Sequence, residues 1–369
     1  MDTLTQITLG AAVGEAVLGR RVGNKAMIWG AVAGTIPDLD VLTAVVTNDV
    51  QQLAIHRGFT HSILFAILFG ALFGWGISRI HRSDGVGWRP WAWLGFWAFL
   101  THSVLDTFTN YGTQLFSPFS NYPAALSSIF IIDPLYTLPL VVGLVLIWRM
   151  PREWTQRRRI NTIMLGATTA YLLAGFGLKQ LVERDMVRSL EARGQSAERL
   201  YSTPTAMNMG LWMGLADQGD TLYATLYSVL DDKPLRWEAI PQNSQWIAPW
   251  RDELPVERLM WFSRGYYAVT READGIYIND LRFGRSDFWL RGSGHYIFRF
   301  RLDVDPENPG RLTGFTRHMP SFEVDADLLG RLWTRLIGEE QSASGDAVSG
   351  NGAPASDADR IQTKEGVLK

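Results

Sequence analysis

AIHRGFTHSILFAILFGALFGWGISRI, residues 54–80, places two histidines and an arginine directly before an apolar run of membrane length. From Ser62 to Ile80 the run is close to the roughly 20 residues that a helix needs to cross the hydrocarbon core of a bilayer. Charged and titratable side chains are costly at such a depth unless they have partners. The stretch therefore predicts a membrane helix whose entrance carries His56, Arg57 and His61.

The composition changes along the chain. Up to about residue 180 the sequence is a series of long apolar segments, and beyond that it is charged and mixed. The net charge of −2 at pH 7 gives no basic excess that would indicate a nucleic acid partner. Cysteine is absent, which excludes disulfides, thiolate metal sites and a cysteine nucleophile.

The apolar segments predict four to six membrane spans. Four of them pass or approach the length test for a span. Two shorter segments precede them and are short or tilted spans, re-entrant helices or buried packing elements. Gly10 and Gly14 form a G-x-x-x-G pattern that would let a second helix approach the first closely. The longer segments are Ser62–Ile80, Trp88–Leu105, Ile129–Trp148 and Ile160–Leu178, and the shorter ones are Leu4–Gly19 and Ala26–Pro37.

Basic residues predict the orientation of these segments. If all six cross, three basic clusters fall on one side of the membrane, and the positive-inside rule makes that side cytoplasmic. The opposite side then receives the unusual histidines and aspartates of the apolar half. Taken singly, each of those polar residues is explained as well by the end of a loop. The basic clusters are Arg20, Arg21 and Lys25; Arg79, Arg82 and Arg89; and Arg149, Arg152, Arg157, Arg158 and Arg159.

The second half of the chain predicts a soluble β domain. Five segments alternate apolar and polar residues, as half-buried strands do, and Gly275 permits a hairpin turn after Arg271–Asp274. They are Thr221–Leu230, Leu235–Ile240, Leu259–Thr270, Gly275–Phe283 and His295–Val304.

The fold class that we predict is α + β. An α-helical, multi-pass membrane domain occupies residues 1–182, and a helical linker follows over 183–199. A soluble, mostly antiparallel and extracytoplasmic β domain occupies 200–337. Residues 338–369 have too little apolar content to fold and are expected to be disordered.

Seven histidine and aspartate residues are candidate metal ligands. His102 and Asp106 are spaced i, i+4 and share one face of a helix, whereas His56 and His61 converge only if His56 lies in a loop. Imidazole and carboxylate together suit Zn²⁺, Mn²⁺ or Fe. The plainer alternative for each is a hydrogen-bonding or loop-end residue. The seven are Asp38, Asp40, His56, His61, His102, Asp106 and Asp133.

Four motifs occur in order along roughly the first 136 residues. They are MDTLTQITLGAAVGEAVLG at 1–19, GTIPDLD at 34–40, HRGFTHS at 56–62 and THSVLDTFTNYGTQLFSPFS at 101–120. Together they resemble the YdjM-like family, a group described as LexA-binding, inner-membrane-associated, metal-dependent hydrolases. The β domain lies outside the resemblance.

The resemblance implies a ligand set. Many members of the family have a histidine where this chain has Gln6, whose amide oxygen is a poorer zinc ligand than imidazole. Gln6 is therefore only a possible ligand. Asp133, one of the seven residues above, is another possible ligand, and the resemblance puts Asp40 and His56 close by. The implied metal ligands are Asp38, His61, His102 and Asp106.

The function that we predict is an integral membrane, metal-dependent hydrolase that acts on a lipid or another membrane-associated ester or phosphoester. Metal-activated water would attack, Asp40 or His56 would act as base, and Arg57 would hold an anionic group. The expected cofactor is a divalent ion, Zn²⁺ with Mn²⁺ or Fe as alternatives. The expected partners are the bilayer and a lipid substrate, without nucleic acid. The expected location is a bacterial-type inner membrane, with the metal site and the β domain extracytoplasmic.

Two other functions fit the same residues. A non-enzymatic membrane protein would use the cluster as a structural metal site or polar network, and its β domain would bind a partner. An ion or proton pathway would use the intramembrane carboxylates, but these collect at one face and do not thread the bilayer. Glu15, in the first apolar segment, is either a site residue or ion-paired within the bundle.

Overall fold

The chain folds as a helical half followed by a β half. The computed structural model describes residues 1–290, 294–318 and 325–339, so the predicted disordered tail lies, from residue 340 onward, outside them. Each of the six predicted apolar segments lies on or overlaps a helix. The helices are α1 (Thr3–Val22), α2 (Asn24–Thr35), α3 (Asp49–Ile55), α4 (Ile63–Ile80), α5 (Trp88–Thr107), α6 (Pro134–Trp148), α7 (Thr155–Glu191), α8 (Leu254–Ser263) and α9 (Ala326–Leu336).

Glycines allow α1 and α2 to cross in direct contact. A Cβ added at Gly10 would collide with the carbonyl oxygen of Gly30, and one added at Gly14 would collide with that of Ala26. The two backbones therefore touch along the G-x-x-x-G pattern. This crossing fixes the end of α2, after which the chain turns into a 3-10 helix over Pro37–Val45.

Two of the described helices are long and apolar enough to cross a membrane. They are α4, with 18 residues, and α7, with 37. A third candidate is α2 together with the 3-10 helix after it, which are bent by 43° at the break between them. The apolar helix α6 has only 15 residues. Crossings beyond these candidates stay a prediction.

The helices alternate in direction so that the basic connections meet at one end of the bundle. Lys25, at the start of α2, pairs with Asp84 between α4 and α5, with 2.7 Å between Nζ and Oδ1. Arg152, between α6 and α7, donates to the carbonyl oxygen of Arg21 at the end of α1 at 2.7 Å. The three basic clusters therefore lie together, and we call this part of the molecule the basic end.

The β half contains two four-stranded antiparallel sheets within the described residues. Its strands are β1 (Arg199–Pro204), β2 (Leu211–Asp217), β3 (Thr221–Ser228), β4 (Glu238–Pro241), β5 (Tyr267–Glu272), β6 (Gly275–Arg285), β7 (Tyr296–Val304) and β8 (Leu312–His318). β1 to β4 form one sheet and β5 to β8 the other, each strand beside its neighbour in sequence. This confirms the predicted antiparallel β region and the hairpin before Gly275, where Glu272 pairs with Gly275.

One predicted strand is partly wrong. The first half of Leu259–Thr270 belongs to α8, because its buried residues Val256, Leu259 and Phe262 lie three apart, a helical spacing. β1, β2 and β8 were not predicted. All seven residues of β2 are buried, so the strand lacks the alternation that identifies a half-buried strand.

Both sheets pack on the helical half. Val50 and Leu53 of α3 are buried in the same hydrophobic core as Phe300 of β7. α7 continues beyond the boundary that we predicted at residue 182, and Met186 in its last turns packs against Trp212 of β2. The β half therefore shares a hydrophobic core with the helical half at two places.

Replacing Gly14 by alanine should destabilise the protein, because the new Cβ meets the backbone of α2. Overpacking of this kind costs about 1–3 kcal/mol. Gly166→Ala in α7 is the matched control, since nothing lies within 4 Å of a Cβ added there. Thermal unfolding in detergent measures both variants. An unchanged melting temperature for Gly14→Ala would contradict the described crossing.

Candidate metal centre

Three separate segments bring two histidines and two aspartates together. Asp38 lies in the 3-10 helix after α2, and His61 ends a short 3-10 turn directly before α4. His102 and Asp106 lie one turn apart near the end of α5. One ligand atom from each of the four lies within 4.8 Å of the other three. These are the four residues that the family resemblance implied as ligands.

The distances within this cluster match the size of a small metal ion. His61 Nε2 and His102 Nε2 are 3.1 Å apart. Asp38 Oδ1 lies 3.3 and 3.5 Å from these two nitrogens, and Asp106 Oδ2 lies 3.4 and 3.6 Å from them. A regular tetrahedron with zinc about 2.1 Å from each corner has edges of about 3.4 Å. These five distances are therefore of the size expected around a small metal ion with nitrogen and oxygen ligands.

The cluster is buried, and one of its oxygens has no hydrogen bond. The side chains of His61, His102 and Asp106 are at most 1% exposed, whereas that of Asp38 is 26% exposed. Asp106 Oδ2 accepts no hydrogen bond of good geometry from the described residues. A buried carboxylate oxygen that accepts no hydrogen bond is costly, and a cation among the four atoms would satisfy it. The donor set fits a metal ion that is reached from the side of Asp38.

Hydrogen bonds behind the two imidazoles direct Nε2 of each toward the cluster. His102 Nδ1 lies 2.7 Å from the carbonyl oxygen of Gly34 and donates to it. His61 Nδ1 lies 3.0 Å from Thr60 Oγ1 and 3.5 Å from Asp40 Oδ2. A proton on Nδ1 leaves the lone pair on Nε2, which is the form of histidine that binds a metal.

Asp40 lies behind the cluster and organises the loop that carries the histidines. Its carboxylate accepts hydrogen bonds from the backbone N–H of Arg57 at 2.9 Å and from Thr60 Oγ1 at 3.1 Å. His56 Nδ1 lies 2.8 Å from the other carboxylate oxygen. The side chain of His56 is 27% exposed, and its ring centre is 6.3 Å from that of His61.

Arg57 lies against Asp106. Its Nε is 3.3 Å from Asp106 Oδ2, and its Nη1 donates to Thr109 Oγ1 at 2.9 Å. The backbone φ of Arg57 is 55°, a conformation that costs of order 1–3 kcal/mol outside glycine. Backbone hydrogen bonds to Asp40 and from Gln114 hold it there. The guanidinium group therefore balances the charge of a buried carboxylate.

Tyr111 connects the metal centre to the β half and was not singled out from the sequence. Its ring lies 5.1 Å from that of His56 and 5.0 Å from that of Phe262 in α8. The guanidinium carbon of Arg57 lies 5.0 Å from the ring centre. Burial raises the pKa of Tyr111 to about 12, so its hydroxyl stays neutral at physiological pH. In the sequence, this role could have been suggested by the aromatic residue that follows the His102–Asp106 pair in the TNYG segment, residues 109–112.

Of the two further candidates, Gln6 contacts the cluster and Asp133 does not. Gln6 Nε2 donates to Asp106 Oδ1 at 3.0 Å, and the amino group of Met1 contacts the same oxygen. Asp133 caps the first turn of α6 and accepts from the hydroxyl of Tyr171 at 2.8 Å. Its carboxylate is thereby bonded to the start of α6 and to Tyr171 in the interior of α7, and it is not among the four convergent ligands.

A comparison with known proteins agrees with the sequence motifs. A family model described as YdjM inner membrane protein matches residues 1–182. The helical half belongs to the YdjM family. The chain is also 35% identical over 141 residues to the uncharacterized protein YfhP of Bacillus subtilis (strain 168). That match covers 36% of this chain and 42% of YfhP, so it spans less than half of the relative. No solved structure matches the chain.

His102→Ala should abolish metal binding, because it removes a fully buried candidate ligand from the YdjM-like helical half. We expect about one equivalent of transition metal in wild-type protein purified without chelators, and less than about a tenth of an equivalent in the variant. Elemental analysis of the detergent-purified protein measures both.

His81→Ala is the matched control. His81 lies at the basic end, where its Nε2 accepts from Trp29 Nε1 at 2.9 Å, so its loss removes an imidazole from the bundle without touching the cluster. Equal metal content in the two variants would show that the ion binds elsewhere.

Proposed function

We propose that the protein is an integral membrane, metal-dependent hydrolase that acts on a lipid ester or phosphoester. The observation that carries the proposal is the convergence of His61, His102, Asp38 and Asp106 at the entrance of the candidate span α4. Imidazole and carboxylate are the ligands of catalytic zinc sites, whereas structural zinc sites are mostly rich in cysteine, which this chain lacks.

Zn²⁺ is the ion that the spacing favours. The five ligand distances given above, 3.1 to 3.6 Å, suit four-coordinate zinc, whereas Mn²⁺ and Fe more often take six ligands. When bound, zinc would lower the pKa of a water ligand toward neutrality and polarise an ester or phosphoryl oxygen.

In this proposal His56 transfers the proton. Asp40 holds its Nδ1, which leaves Nε2 directed away from that carboxylate, and the ring is the most exposed of the three imidazoles at the site. His61 and His102 are fully buried, and the Nε2 atom of each faces the other within the cluster. A histidine held by a carboxylate is the usual arrangement for general acid–base catalysis.

Arg57 has a positioning role in this proposal. The sequence assigned its guanidinium to an anionic group of the substrate. Its contact with Asp106 and its burial instead favour holding that ligand in its ionised form. A phosphoester that approached the cluster would still experience its positive charge.

An apolar cavity supports a lipid substrate; it borders Asp40 and Thr60, which contact the loop of the site, and none of the four cluster residues lines it. The cavity has a volume of about 580 Å³. Leu39, Phe59 and Phe69 line it and are all more than a third exposed, whereas Asp40 and Thr60 form a polar part of its wall. A chain of methylene groups would be buried against these aromatic side chains while the ester lies near the polar residues.

The proposed membrane arrangement has six crossings, with the cluster and the β half extracytoplasmic in an inner membrane. The cluster lies at the start of α4 and the end of α5, whereas the Arg-rich connections lie at the opposite, basic end. The positive-inside rule then supports a cytoplasmic basic end.

One observation favours a second function. Four protein ligands at tetrahedral spacing would leave no open position, as in a structural metal site. In that case the ion would hold α5 against the two 3-10 segments as a structural metal, and the β half would bind a partner. The exposure of Asp38 and the capacity of zinc to take a fifth ligand favour the hydrolase.

His56→Gln should leave the metal in place and lower hydrolysis at least about 100-fold, because general acid–base catalysis supplies about 10²–10⁴. Wild-type protein would be incubated with vesicles of bacterial polar lipids, and mass spectrometry would detect diacylglycerol, phosphatidic acid, lysolipids and free fatty acids. His295→Gln, in an exposed position of the β half, is the control. Full activity in His56→Gln would remove this residue from the mechanism.

Asp38→Ala separates the two functions. The hydrolase hypothesis expects a folded, inactive protein with a melting temperature close to that of the wild type, because Asp38 is at the exposed edge of the cluster. The structural-metal hypothesis expects the melting temperature to fall sharply together with the metal content. Metal-loaded, folded wild-type protein that releases none of the four products would contradict the hydrolase.

A further inference from the structure

A second cavity lies at the basic end, far along the helices from the metal centre. It has a volume of about 610 Å³ and lies between the end of α1 and the start of α7. We call it the basic cavity. Its polar lining residues are Glu15, Arg20, Arg21, Arg152, Arg158, Asn161 and Thr162.

The one acidic residue of the lining does not balance the arginines. Glu15 is buried and paired with Arg157, with 2.7 Å between Nε and Oε1 and 2.5 Å between Nη2 and Oε2. This answers the alternative that the sequence left open for Glu15. Arg20, Arg21 and Arg158 have no acidic partner among the described residues. The cavity therefore presents at least three uncompensated positive charges.

Asn161 adds a buried acceptor to the wall of this cavity. The residue is 2% exposed, and its Nδ2 donates to the carbonyl oxygen of Ala12 at 2.9 Å. That bond fixes the orientation of the amide. Its Oδ1 has no hydrogen-bond partner in the part of the chain that the structure describes. A ligand with a hydroxyl group would satisfy an acceptor that is otherwise costly to bury.

We propose that the basic cavity binds a phosphodiester whose alcohol carries a free hydroxyl group, the headgroup chemistry of phosphatidylglycerol. Arginine guanidinium groups bind phosphate oxygens through paired hydrogen bonds, and the hydroxyl would donate to Asn161. The cavity lies at the end of α1 and the start of the candidate span α7, which in the proposed membrane arrangement is the depth where basic pockets meet anionic headgroups. The proposal does not depend on the metal centre.

Native mass spectrometry of the full chain in detergent tests the proposal. The protein would be titrated separately with dioleoyl phosphatidylglycerol, dioleoyl phosphatidylmethanol and dioleoyl phosphatidylcholine. We expect phosphatidylglycerol to bind at least about tenfold more tightly than phosphatidylcholine, which has no net charge. We expect phosphatidylmethanol, which has the same charge without the hydroxyl, to bind more weakly than phosphatidylglycerol.

A double variant and its matched control identify the site. Arg21→Gln with Arg158→Gln should weaken phosphatidylglycerol binding by about tenfold. Arg79→Gln with Arg82→Gln removes the same charge from the basic end outside the cavity lining and should leave the affinity unchanged. Melting temperature and metal content would confirm that both double variants are folded.

The outcomes are distinct. Soluble glycerophosphoglycerol that displaces the lipid completely would support the site and identify a soluble diester as sufficient, whereas no displacement would support a lipid anchored by its chains. Equal loss of affinity in the two double variants would overturn the cavity as the site. Equal affinity for phosphatidylglycerol and phosphatidylmethanol would overturn the role of Asn161.

Discussion

One constraint governs the rest of the structure: two carboxylates and two imidazoles lie within a few ångströms of each other, and three of these four side chains are out of contact with water. Without a partner, the buried Asp106 carboxylate would cost several kcal/mol. Arg57, Gln6 and the two imidazoles surround it, yet one of its oxygens still lacks a hydrogen bond. A divalent cation would satisfy this arrangement, because it would be attracted to both carboxylates and accept the lone pairs of both imidazoles.

The rest of the fold places these groups. The glycine crossing of α1 and α2 lets the two backbones touch, which brings the Gly34 carbonyl oxygen to His102 and the following Asp38 to the cluster. Asp40 ties the loop before α4 to the 3-10 helix after α2. The β half then covers the loop after α5, where Tyr111 packs against Phe262. Packing, backbone hydrogen bonds and aromatic contacts therefore converge on one polar site at the end of apolar helices.

The helices and the chemistry of the site could be predicted from the sequence, and the division of roles within the site could not. Apolar length located α4 and α7, but seven histidines and aspartates looked chemically equivalent. Only the family resemblance selected four of them. Asp40 and Asp38 are two residues apart, and which of them reaches the cluster depends on the 3-10 geometry of Pro37–Val45. The partner of Glu15 is Arg157, 142 residues away in the sequence, and no local pattern indicates such a pair. β2 was missed because both its faces are buried.

X-ray absorption spectroscopy at the metal edge of the purified protein tests the central claim most directly, because it reads the ligands of the ion itself. We expect one zinc ion with two imidazole nitrogens and two or three oxygens at about 2.0–2.2 Å, and loss of the imidazole scattering in a protein that lacks His61 and His102. A protein that folds without any bound metal, or an ion whose shell contains no imidazole, would contradict the account.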